Sequence, residues 1–191
     1  MTRSFDGRPV PVDVLEEIVS LASLAPSAGK TQGWHLVVLE GDDTALFWDA
    51  TLPAERREQF AWQGLLRAPV IALALADPQA YLQRYSEPDK VRSGLGESVE
   101  AWPIPYWTID AAMSVNTLLL SAHAAGLGAL FFGVFSGEAA LRETLGIPNE
   151  LQLLGAVALG WPDPAPNSTG AGRSASRPRR SANEIIHRGR W

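Results

Sequence analysis

The chain has 191 residues, 46% of them apolar and 19% charged, which suits one domain with a real core and excludes both a disordered segment and two ordinary domains. It contains no cysteine, so disulfides, thiolate metal sites and cysteine nucleophiles are excluded. The net charge of −5 is uneven: from Arg173 onward six arginines face a single acid, and the rest of the chain is strongly acidic.

In chain order, Leu15, Ile18, Val19 and Ala22 recur at helical spacing and predict a helix over residues 12–25, with Asp13 near its start and Pro26 ending it. A turn at Ser27-Ala28-Gly29 leads into Leu36-Val37-Val38-Leu39, a continuous apolar run expected of a buried strand. Short helices are expected over 44–50 and 54–66, and a second buried strand over 69–76. Residues 77–105, rich in Pro, Gly and charge, read as a short helix and a loop. The longest helix is expected over 106–125, apolar nearly all round apart from Asp110, Asn116 and His123, and therefore buried on most sides by its own domain or by a second subunit. Gly126 stops it. A third strand follows over 129–135, a short helix over 137–145 and a fourth strand over 152–159. After Trp161 and through about Arg180 the composition is that of a flexible linker, ending in Asn183-Glu184-Ile185-Ile186-His187, an apolar element able to add to a sheet edge. The pattern predicts an α+β sheet flanked by helices over residues 1–162, with residues 163–191 as a basic linker and C-terminal arm completing the same domain or its dimer.

No apolar run reaches the roughly 18 residues needed to cross a bilayer. The nearest, 117–135, is interrupted by His123, Gly126 and Gly128. Arg3, Asp6 and Arg8 stand where a secretory signal would be apolar, so no membrane partner is expected and a cytoplasmic address follows by default. The basic tail lacks the lysines and broad basic surface of a nucleic-acid arm, so no nucleic-acid partner is expected. His35, His123 and His187 are too scattered for a metal cluster, and no metal is expected. His123 is read as a hydrogen-bonded histidine of a helix interior. Trp34 is read as a core or interface anchor, and Trp102, Tyr106 and Trp107 as either a lid or inter-subunit packing. The chain has no GxGxxG, GxxxxGK[ST] or GxSxG loop, so neither a Rossmann or P-loop nucleotide site nor a serine elbow is supported.

Three separated stretches carry a resemblance. The first is Arg3-Ser4-Phe5-Asp6-Gly7-Arg8-Pro9 with Ala25-Pro26-Ser27-Ala28-Gly29-Lys30-Thr31-Gln32-Gly33-Trp34. The second is Gly126-Leu127-Gly128 running on to Phe132-Gly133. The third is Leu145-Gly146-Ile147-Pro148, Leu159-Gly160-Trp161-Pro162, and the late Arg179-Arg180 with Glu184-Ile185-Ile186-His187. In this order and spacing they resemble the nitroreductase family. The resemblance implies an intertwined FMN-binding homodimer with both flavins at the subunit interface. It further implies a hydride transfer in which NAD(P)H and a nitroaromatic, quinone or similar planar acceptor use one space in turn.

Carried over position by position, the resemblance makes Arg3, Arg179 and Arg180 ligands of the FMN phosphate, with Arg177 in reserve. It brings Ser27, Lys30 and Gln32 to the ring or ribityl chain, and lays Phe132 and Gly133 along the ring's edge. No catalytic side chain is required, because the flavin carries the chemistry. The residue types suit these roles: arginine forks match phosphate, and seven tryptophans supply flat surface. Lys30 and Gly33 stand where the family usually has asparagine and proline, and Gln63 is the one polar candidate in Ala61-Trp62-Gln63-Gly64. The same residues leave open a protein that binds or sequesters flavin without turnover, and a relative using a different flavin-type cofactor.

Overall fold

The computed structural model describes residues 1–164 and 176–191. The expected linker falls largely on residues 165–175, outside the described residues. A four-stranded antiparallel sheet runs in the order β1-β2-β4-β3, with β1 Trp34–Glu40, β2 Val70–Ala76, β3 Gly128–Phe132 and β4 Gln152–Gly160. Both faces are covered, which explains why β2 reads as an unbroken apolar run. Ile71, Leu73 and Leu75 pack on one side, and Val70, Ala72 and Ala74 on the other.

On the second side lie α1 (Val12–Ala22) and the long helix, each contributing a stripe: Leu15, Ile18 and Ala22 from the first, Val115, Leu118 and Ala122 from the second. On the first side α2 (Thr44–Thr51) supplies Phe47 and Trp48. The remaining helices are α3 (Ala54–Arg57), α4 (Pro78–Tyr85), the long α5 (Tyr106–Ala124), α6 (Glu138–Leu145) and α7 (Ala182–Ile185). Leu141 of α6 joins the layer that α2 builds.

Several expected boundaries move, each for a local reason. Helix α1 stops at Ala22 because the Ser23 hydroxyl turns back to the Val19 carbonyl and the chain enters a turn before Pro26. The helix expected over 54–66 is a single turn, α3, followed by a 3₁₀ segment at Gln63–Arg67. Between them the Gln63 amide donates to the carbonyls of Arg57, Glu58 and Phe60, taking the place of helical N–H groups. Strand β3 ends at Phe132, opposite Ala156, and the chain peels away from the sheet through Gly133. The segment 183–187 is not a sheet edge: α7 is a helical turn closed by reciprocal bonds between Ser181 and Glu184. His123 is exposed rather than interior, near the end of α5. That helix buries Ala111, Val115 and Leu118 but leaves Ile109 and Leu120 open to solvent, so one face only is covered by its own chain.

The N-terminal residues form a strap across the other end of the sheet. Thr2 N–H donates to Ala129 O, Phe5 N–H to Gly64 O, and Asp6 N–H to Trp161 O. Phe5 is completely buried and bridges to Pro162. The strap lies so close that a Cβ on Gly64 would meet the Ser4 Cα at 2.7 Å, and one on Gly128 would meet Thr2 Oγ1 at 2.6 Å, so both positions require glycine. Asp163 ties the strap down further, accepting from Ser4 Oγ and, at 2.6 Å, from Arg67.

Candidate functional site

The strap fixes Arg3 at a cleft of about 290 Å³ between the end of β3 and the aromatic residues of α2 and of the loop after α3. Phe132 and Gly133 line it together with Trp48, Phe60, Trp62 and Phe135. Its walls are built from rings in contact: Trp48 stacks parallel to Phe132 with centroids 6.3 Å apart, and Phe60 meets Trp62 edge-on at 5.7 Å. The Arg3 guanidinium lies over the Trp62 ring, 5.5 Å from its centroid, which holds a positive, planar donor at the edge of an otherwise apolar space. The Trp48 indole N–H is buried without a hydrogen-bond partner among the described residues. Three expected site residues, Arg3, Phe132 and Gly133, therefore meet in one place. Trp48, Phe60 and Trp62 were missed, and Gln63 is displaced: its amide is occupied by the three carbonyls above while its neighbour Trp62 enters the cleft.

Ser27, Lys30 and Gln32 do not line this cleft in the same chain. They lie on the turn between α1 and β1, beside a small pocket of about 10 Å³ that Ser27 and Gln32 line with Tyr81, Asp110 and Ser114. The turn is strained. Gly29, Lys30 and Gln32 have φ values of 63°, 56° and 56°, and the last two carry side chains in a region that disfavours them. The Ser27 hydroxyl accepts from the Gln32 N–H at 3.0 Å. Asp110, buried in α5, accepts from the Ala28 N–H at 2.7 Å and from the Tyr81 hydroxyl at 2.7 Å. Burial first, and then the bond to Asp110, push the Tyr81 phenol far above its ordinary pKa, so it stays a donor at every working pH. From α4, Arg84 donates to the Gly29 carbonyl at 2.8 Å while Asp89 grips its guanidinium with both oxygens. Lys30 and Gln32 point outward, exposed.

Arg177, Arg179 and Arg180 lie on the arm, of which residues 176–191 are all exposed. Arg180 donates to the Glu184 carbonyl, and none of the three lines the cleft. Trp102 is no lid: it is buried, donates from Nε1 to Leu95 O, and centres a ring cluster with Tyr81, Tyr85, Tyr106 and Trp107. Trp34 packs, half-buried, against the core between α1, α5 and the sheet. Among the described residues no group of acids or histidines is arranged to hold a metal, and no helix is long and apolar enough to cross a membrane.

Comparison with known proteins places this geometry in a family. The Nitroreductase family profile matches residues 1–161. An Archaeoglobus fulgidus protein named for NADH dehydrogenase/NAD(P)H nitroreductase activity is 30% identical over 164 residues, covering 84% of this chain and 79% of its own length. A 4-nitrobenzoate reductase of a Nocardioides species is 29% identical over 189 residues, covering 84% and 76%. A crystal structure of an FMN-containing oxidoreductase shares the fold, with a TM-score of 0.71 at 23% identity over all of this chain and 87% of that one. From the match over residues 1–161 and the relatives that share it, the chain belongs to the nitroreductase family.

Proposed function

We propose that the chain is an FMN-dependent oxidoreductase that carries hydride from NAD(P)H to a nitroaromatic, quinone or similar planar acceptor, and that it works as a homodimer. The observation that carries this reading is the aromatic cleft with Arg3 at its rim and the Phe132-Gly133 backbone along one side. FMN is the cofactor of this family, and the residues present suit it. A volume of about 290 Å³ lies at the small end of the range for ligand sites, and flat walls suit a tricyclic ring. The backbone past the end of β3 offers polar groups to the ring's edge.

Bound there, FMN supplies two-electron, hydride-level transfer. The protein's own contributions are position and exclusion of water. Trp48, Phe60, Trp62 and Phe132 supply apolar, planar walls, and Arg3 supplies a fork-shaped cation for the phosphate. Arg179 and Arg180, with Arg177 in reserve, would complete that grip. Ser27, Lys30 and Gln32 would come from a second copy of the chain, with the Lys30 ammonium favouring negative charge on the ring's polar edge.

Two copies are supported by what a single chain leaves uncovered. These surfaces are Ile109 and Leu120 on α5, Phe135 at the cleft, and Ile185, Ile186 and Trp191 on the arm. Purified protein loaded with FMN tests the reading. A yellow preparation bleached by NADH or NADPH and recoloured by menadione or 4-nitrobenzoate is expected. Yellow protein inert to both nicotinamides would assign it to flavin sequestration, and a failure to take up FMN would refute both.

A further inference from the structure

The turn 27–32 is held more firmly than a surface loop requires. A buried carboxylate is costly unless its bonds repay desolvation, yet Asp110 directs one oxygen, Oδ2, at the Ala28 N–H and the Tyr81 hydroxyl. Arg84 fixes the Gly29 carbonyl from the other side, itself locked by Asp89. Tyr85 packs under Gly29, so a Cβ there would sit 3.0 Å from its ring. Within this frame two residues with side chains adopt left-handed backbone, a conformation that persists only where the surroundings over-determine it. The side chains so presented, Lys30 and Gln32, make no hydrogen bond or ion pair among the described residues. Strain and a buried acid thus converge on a turn whose Lys30 and Gln32 side chains have no hydrogen-bonded partner among the described residues.

We propose that Asp110 is a positioning residue, which through Ala28 and Tyr81 holds the strained turn in the one conformation that presents Ser27, Lys30 and Gln32 to flavin in the cleft of a second copy. This inference rests on the FMN reading given above. It assigns to the polar break in α5 a role in cofactor affinity rather than in helix packing alone.

The test compares wild type, Asp110→Ala, the shape-conserving Asp110→Asn, Tyr81→Phe and a packing control, Ile18→Ala, which cuts the core between α1 and the sheet. Two readouts are taken below every melting transition: FMN affinity from quenching of flavin fluorescence, and hydrogen exchange at residues 28–33 of the flavin-free protein. Asp110→Ala should weaken FMN binding at least tenfold and speed exchange in the turn. Asp110→Asn and Tyr81→Phe should give smaller losses in the same direction, and they carry the test if the alanine variant does not fold. Ile18→Ala should lose stability yet keep wild-type affinity and exchange in the turn. Wild type that binds FMN alongside Asp110 variants of equal affinity would overturn the positioning role and leave the function standing. Wild type that does not bind FMN would overturn both.

Discussion

Replacing Gly64 by alanine tests how the N-terminal strap delivers Arg3 to the cleft. The new Cβ would stand 2.3 Å from Ser4 Oγ and 2.7 Å from both the Cα and the Cβ of Ser4. Rotating the serine side chain relieves only the first contact, so the strap's backbone must retreat. Retreat stretches the 3.1 Å bond from Phe5 N–H to Gly64 O and loosens Phe5, which is completely buried. Overpacking of this kind costs about 1–3 kcal/mol and the weakened hydrogen bond about 1 more. For a domain of this size that lowers the melting temperature by about 4–15 °C. Thermal unfolding followed by circular dichroism measures the loss, and an FMN titration of the same variant should show weakened binding because Arg3 moves with the strap. Ser4→Ala in the Gly64→Ala background should not restore stability, since the backbone contact remains. A Gly64→Ala protein melting within 2 °C of wild type, at the precision that such transitions allow, would refute the reasoning.

Other expectations follow from the same geometry. Arg3→Ala should weaken FMN binding by about 1.5–3 kcal/mol, the range for a charge-assisted bond, with calorimetric titration as the measure. Joint replacement of Arg179 and Arg180 by alanine should cost about 2–4 kcal/mol of FMN affinity and leave flavin-free stability unchanged, because both are exposed. Hydrogen bonding to the Arg84 guanidinium holds the Asp89 carboxyl below its usual range. Its stabilising effect is therefore complete above the unfolded value of about 4 and is lost as pH falls through the lowered folded value. Asp89→Asn should narrow the difference between urea midpoints at pH 6 and pH 3, and an unchanged difference would count against that ion pair. Sedimentation equilibrium should find dimers in the full chain and weaker association in a chain ended at Pro164.

Much of the fold was legible because its signals are local. The apolar stripe of α1, the unbroken run of β2 and the glycine after α5 each declare an element within a dozen residues. Motif order also named Arg3, Phe132 and Gly133, which the fold brings to one cleft. What could not be read joins distant residues. Asp110 meets Ala28 across 82 positions, and nothing near either one announces the bond. An acid inside a long apolar helix was the available signal, and it marks burial without naming a partner. Gln63, the one polar candidate of its stretch, is drawn away because its amide meets three carbonyls locally, and its neighbour Trp62, for which no role was expected, lines the cleft instead.

The pairing of residues 2–6 with distant stretches of the chain ties the cleft to the whole sheet. Residues 2–6 rest on Gly64 and also on Ala129, Trp161 and Asp163, so the strap is fully seated only when the chain as far as residue 163 is in place. Contacts of such long sequence separation are slow to form. Arg3 is thus held at the cleft by a strap whose anchors lie far along the chain, and any grip it gives a phosphate depends on the sheet beneath it.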